Sequence, residues 1–285
     1  RTMKESYTIR TLTPLFSYGA DPHQPENKKS GTPEHEGTPE IRAASIRGQL
    51  RWWMEQLGTH QHVDSIFGCV ARDQGTASKV MIRVTDIEGK IGSRKCTAHK
   101  NWSKKTCYLP GATFRLIVKQ KRAGLSETEL GILEKTIEAW LQMGTLGGRG
   151  TRGGGSLQDK ENILTQAEWC QRCQKLLENS AMHLRLGETN YRDENEARET
   201  VCDTLDEEAF RNCNRALGGI IPPRKTSPLR MRILRFRDAP EDKPYRIAAL
   251  WTNPQIQDLD KAIEILKTGG NKGEKKKIGD ELQQA

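Results

Sequence analysis

The segment Gly144 to Ser156, GTLGGRGTRGGGS, carries the clearest chemistry in the chain: seven of the twelve residues from Gly144 to Gly155 are glycine, with Arg149 and Arg152 among them. Glycine lets backbone N–H groups approach an anion without side-chain obstruction, and arginine adds paired, planar donors that match phosphate oxygens. Gly147, Gly148, Arg149, Gly150, Thr151 and Arg152 are therefore candidate contacts for an extended sugar-phosphate backbone. The loop is not a P-loop, because no Gly-Lys-Ser/Thr follows the glycines, and it opens no obvious helix as a dinucleotide fingerprint should. A flexible linker is the competing reading, although linkers usually carry Ser, Thr or acids in place of paired arginines.

A second concentration lies at IRAASIRGQLRWW, Ile41 to Trp53. A helix start attracts anions through its free N–H groups and dipole, and Arg42, Arg47 and Arg51 surround this one with positive charge. Ser45 reads as the N-cap, and Ser45 and Gln49 add polar contacts. Trp52 could stack on a base while Trp53 packs in the core. Ordinary surface salt bridges are the bland alternative for the arginines.

Two further sets could do chemistry. Asp21 and His23 share a loop after the first strand, and an Asp–His pair could activate a ribose 2′-hydroxyl. Asp21 also belongs to a Gly-Ala-Asp-Pro turn, where an aspartate commonly bonds its own backbone. Cys170 and Cys173 form a CxxC, with Cys202 and Cys213 as weak candidates to complete a metal site. Their helical context and wide later spacing argue against a zinc knuckle, so no metal is expected. His60 and His62 read as solvent-exposed.

These residues need elements to hold them. Tyr7 to Leu12 reads as a strand ending before Pro14, and 27–39 as a flexible insertion. Ile46, Leu50, Trp53 or Met54, and Leu57 fall on one face of a helix that Gly58 ends. Val80, Ile82 and Val84 alternate with Lys79, Met81 and Arg83, and Phe114, Leu116 and Val118 alternate with Arg115 and Lys119, giving two half-buried strands. Ser126 and Glu129 form a capping box for a helix that stops at Gly144. With a short strand at Ser156-Leu157 the order becomes βαββαβ, a ferredoxin-like α+β arrangement over residues 1–158 that places the glycine-rich loop at its end. Residues 159–285 read as a mostly helical second half with a few strands: helical stretches near Thr165–Leu186 and Asn195–Leu217, strands at Leu229–Phe236 and Tyr245–Trp251, and a helix around Leu259–Leu266. A second, degenerate ferredoxin-like half with helical insertions fits that pattern.

The bulk numbers agree with a binding role. Of 285 residues, 46 are Lys or Arg and 37 are Asp or Glu, a net charge of +9 that favours a polyanionic partner. Only 34% are hydrophobic, low for a self-contained enzyme that must bury a large core. No stretch approaches a membrane span, Arg1 to Tyr7 do not form a signal peptide, and the seven cysteines read as mostly reduced thiols, so a soluble cytoplasmic protein is expected.

The blocks Thr13-Pro14-Leu15-Phe16-Ser17-Tyr18-Gly19-Ala20-Asp21, Pro39 to Trp53, Asp64-Ser65-Ile66-Phe67-Gly68 and Gly147 to Leu157 resemble, in order, the RAMP superfamily, and within it subunit one of the type III-B CRISPR (Cmr) effector complexes. Ser227-Pro228-Leu229-Arg230 fits the family's second half. The resemblance implies ferredoxin-like RAMP domains and a place at the guide-3′, target-5′ end of an antiviral ribonucleoprotein. There the subunit would cap the backbone filament with subunits four, five and six and contact guide RNA and target single-stranded RNA. It further implies a subunit that needs no cofactor and does not itself cut RNA, cleavage falling to other subunits. The alternative is a RAMP endoribonuclease using Asp21 and His23.

Overall fold

The computed structural model describes residues 3–18, 38–71, 74–98, 104–122, 124–205 and 227–252, and the backbone of 282–284. Its first sheet is built from β1 (Ser6–Thr11), β4 (Val80–Glu88), β7 (Thr113–Gln120) and β8 (Leu157–Asp159), in the order β4-β7-β1-β8 with every neighbour antiparallel. The two-residue alternation seen in the sequence sets the faces. Ile9 lies opposite Phe114 and Tyr7 opposite Leu116, all buried. Arg83, Arg115 and Lys119 lie on the exposed side.

Two helices cover the buried face. α1 (Ala43–Gln56) contributes Ile46, Leu50, Trp53 and Met54 to the core, and α3 (Glu127–Met143) contributes Leu133, Ile137 and Trp140. α3 begins with the expected capping box: Ser126 and Glu129 exchange backbone and side-chain bonds at 3.2 and 2.9 Å. Its C-cap is Gly144. α1 begins earlier than expected. Arg42, not Ser45, is its N-cap residue, and no side chain caps it, because Ala43 and Ala44 extend the helix by almost a turn.

Between α1 and β4 lie a 3-10 turn at His60–His62, the short helix α2 (Val63–Phe67) and the hairpin strands β2 (Cys69–Ala71) and β3 (Gln74–Thr76). His60 is exposed as expected, whereas His62 is half-buried. A second hairpin, β5 (Ile91–Lys95) with β6 (Lys104–Tyr108), interrupts the path from β4 to β7.

The second half is a sheet as well. α4 (Gln166–Leu177) leads into β9 (Met182–Gly187), α5 (Glu194–Leu205), β10 (Arg230–Arg235), β11 (Tyr245–Thr252) and β12 (Leu282–Gln284), ordered β10-β11-β9-β12. Numbered by chain order within each half, the four strands of both sheets run second, third, first, fourth, the ferredoxin-like order. The continuous helix expected over Thr165–Leu186 is thus divided: the helix ends at Leu177 and Met182, Leu184 and Leu186 alternate inward as strand β9. The charged capping box at Thr165 hid that change from period 3.6 to period 2. The expected stretch 206–217 and the helix at 259–266 lie outside the described residues.

One apolar cluster runs through both sheets, joining Ile9, Trp53 and Leu133 to Leu184, Leu234 and Leu250. Arg232 of β10 sits entirely inside it. Its guanidinium donates to the carbonyls of Leu141 (2.6 Å), Trp140 (3.4 Å), Gly144 and Leu157. A cation thus closes the carbonyl end of α3 from the other sheet. Burial pulls its pKa down to about 9.

Candidate nucleic-acid interface

The glycine-rich segment is a closed loop pinned at its base. Thr145 pairs with Ser156, and the Leu146 N–H donates to the Gly155 carbonyl at 2.9 Å. The exit of β1 runs alongside: Gly148 N–H donates to Phe16 O (2.7 Å), Gly155 N–H to Pro14 O (3.0 Å) and Ser156 N–H to Thr13 Oγ1 (2.9 Å). From below, Ile233 N–H of β10 donates to Ser156 Oγ at 3.0 Å. The linker reading fails on these bonds.

The glycines are required by close approach within the protein. A Cβ on Gly155 (φ 63°) would sit 1.8 Å from Leu146 O, and one on Gly147 (φ 75°) 2.6 Å from Phe16 O. Several loop N–H groups are therefore spent on protein carbonyls and not aimed outward as an anion cradle. What the loop presents to solvent is its tip. Gly147, Gly148 and Arg149 are exposed, Thr151 and Arg152 half-buried, and Gly150 buried. Arg149 is held in the left-handed region at φ 65°, one of two non-glycine residues with positive φ among those described. Its Nε donates to Cys96 Sγ at 3.1 Å. The loop holds Arg149 in a backbone conformation that costs a non-glycine residue about 1–2 kcal/mol.

The α1 arginines are disposed differently. Arg47 Nη1 donates to Phe67 O at 3.2 Å, and Arg51 Nη1 to Gly68 O at 2.7 Å, so both close the carbonyl end of α2. Arg51 Nη2 also pairs with Asp64 at 3.1 Å. The sequence blocks around Arg47 and Asp64-Ser65-Ile66-Phe67-Gly68 are thus two sides of one clamp. Arg42 is half-buried, and among the described residues its Nε has no hydrogen-bond partner. Ser45 and Gln49 are half-buried on α1. Trp52 packs edge-on against Trp53 at 5.2 Å, and the Arg230 guanidinium lies 4.1 Å from its ring. A base stacking on that side would have to displace Arg230.

Asp21, His23 and Cys213 lie outside the described residues. Cys170 and Cys173 are on α4, where burial pushes both thiols up, and Cys202 is on α5 beside Arg198. Among the described residues no group of His, Cys, Asp and Glu could hold a metal. No described helix is long and apolar enough to cross a membrane.

Sequence reading missed the cations of the β5–β6 hairpin, which meets the loop through Arg149 and Cys96. The signal was present: residues 90–105 hold six Lys or Arg and no acid. It also missed Arg198 of α5, 1% exposed, whose Nη2 donates to the carbonyls of Lys95 (3.1 Å) and Cys96 (3.4 Å) and fixes the hairpin root.

Residues 8–158, more than half of the chain, match the RAMP superfamily. The chain belongs to that superfamily. The match starts in β1 and ends on β8, immediately past the loop. As a RAMP protein the chain has solved structural relatives. The crystal structure of Cmr1 from Pyrococcus furiosus (apo form) superposes with a TM-score of 0.56 at 17% identity, covering 99% of this chain and 93% of that one. A chain of the type III-B Cmr-beta complex bound to cognate target RNA superposes with a TM-score of 0.52 at 11% identity, covering 87% and 94%. At these identities the likeness establishes the fold. No curated protein matches the chain in sequence.

Proposed function

We propose that this RAMP protein is a non-catalytic RNA-binding subunit of a type III-B CRISPR effector complex. It contacts guide or target RNA near the guide 3′ end, caps the backbone filament beside subunits four, five and six, and supports target capture in antiviral defence. The observation that carries this reading is the solvent-facing, left-handed Arg149 on a loop tied to β1 and β10. Arg149, Arg152 and Thr151 make the principal phosphate contacts, with Arg42, Ser45, Gln49 and Trp52 secondary. Arg47 and Arg51 chiefly hold α2, keeping some donors to spare. Residues 1–158 and 159–285 act as two ferredoxin-like units sharing one core. The endoribonuclease alternative through Asp21 and His23 rests on the sequence alone.

The test is a salt titration of single-stranded RNA binding by the whole chain and by the Arg149→Ala/Arg152→Ala variant. Each lost phosphate contact lowers the slope of log K against log salt by about 0.7, so the slope should fall by about 1.4. An unchanged slope and affinity would overturn the loop assignment.

A further inference from the structure

The β5–β6 hairpin carries an arrangement that a free protein avoids. Its register sets Arg94 directly opposite Lys105 and Lys95 directly opposite Lys104. Directly opposed side chains stand about 5 Å apart at Cβ, and like charges there destabilise the pair. Strand alternation turns one pair to each face of the hairpin. Arg94, Lys104 and Lys105 are exposed, and Lys95 is half-buried.

The acids near these cations sit on α5, at the β5 side. Glu199 is 3.9 Å from Lys95, and Glu194, which burial holds above the usual carboxylate range, lies near Arg94. Among the described residues neither Lys104 nor Lys105 has an acidic partner within ion-pair distance. The hairpin root is rigid: Cys96 and Cys107 are buried with Phe16, Arg198 holds the carbonyls of Lys95 and Cys96, and Arg149 bonds Cys96. Loop and hairpin therefore meet at Cys96, with Arg149 beside the hairpin root.

The geometry points to the β5–β6 hairpin as a second phosphate-binding element, whose opposed cation pairs are relieved when the backbone of a single-stranded RNA passes over it from the glycine loop. The inference rests on the RNA-binding reading above and extends it to Arg94, Lys95, Lys104 and Lys105. A polyanion suits opposed cations on both faces, because its charges recur along a flexible chain.

The experiment measures binding of a fluorescein-labelled oligouridylate of about twenty nucleotides to the full chain across a salt series, with melting temperature read in parallel. Lys104→Ala/Lys105→Ala should weaken binding roughly tenfold near physiological salt and lower the slope by about 1.4, while the melting temperature stays or rises. Lys135→Ala/Lys175→Ala, on the outer groove of α3 and α4, should change neither. Parent binding lost with Arg149→Ala/Arg152→Ala but unchanged in the hairpin variant overturns the hairpin role and leaves the RNA-binding reading standing. Equal losses in the hairpin and control variants reduce the effect to bulk charge and also overturn it. A parent that binds no RNA sinks both. A hairpin variant that loses polyglutamate but not RNA assigns the surface to an acidic protein partner and overturns the inference.

Discussion

Two sets of cations in this protein differ in what satisfies them. Arg47, Arg51 and Arg232 spend their donors on backbone carbonyls, the first two closing α2 and the third closing α3 from the neighbouring sheet. Arg149, Lys104 and Lys105 face solvent on a rigid frame that offers them little charge compensation. The first set builds the fold, and the second is the one we propose for RNA. Composition cannot tell them apart, because both contribute equally to the net charge of +9.

The largest effect that would test this contrast is on Arg232. Arg232→Met leaves buried carbonyls at the α3 end without a donor, and should cost about 3 kcal/mol or more in chemical denaturation. Loss of much less would mean that the carbonyls find other partners. Arg51→Ala removes the bond to Gly68 O and the pair with Asp64, and should cost about 1–2 kcal/mol while leaving the RNA salt slope nearly unchanged. A large slope change there would make Arg51 itself a phosphate contact.

A further cation of this kind, Lys79, gives a pH signature. Lys79 bonds both oxygens of Glu129, at 2.7 and 2.9 Å, and holds that carboxyl down at about 2. A depressed carboxylate stabilises above its ordinary pKa and loses that contribution as protons return. Stability should therefore fall by about 1 kcal/mol between pH 4.5 and 2, after discounting for solvent access, and Glu129→Gln should flatten that part of the profile. The smallest effect has the opposite sign. Arg149→Gly relieves a left-handed residue and should raise stability by up to about 1 kcal/mol, while weakening RNA binding. If the variant is less stable, the Cys96 bond outweighs the backbone strain.

Much of the first sheet was legible because its signals were local. The alternation at Val80–Val84 and Phe114–Val118, the Ser126–Glu129 box and the Gly144 stop all depend on neighbours in sequence, and all four hold. Strand β9 was misread because five residues of alternation followed a well-capped helix. The glycine loop was read as an anion cradle, but close approach within the protein accounts for its glycines. Its glycines admit the Phe16 and Leu146 carbonyls, contacts across more than a hundred residues or back along the loop that no local pattern announces. For the same reason Arg47 and Arg51 looked free: their partners lie about twenty residues on, in a segment whose carbonyl end only the fold turns toward them.

The most direct measurement of the contrast is ultraviolet crosslinking of RNA within the assembled complex, with the crosslinked peptides of this chain mapped by mass spectrometry. The account predicts most crosslinks in peptides covering 144–156 and the strands 91–95 and 104–108, and fewer in 42–68. Crosslinks concentrated in 42–68, or none anywhere in the chain, would contradict it.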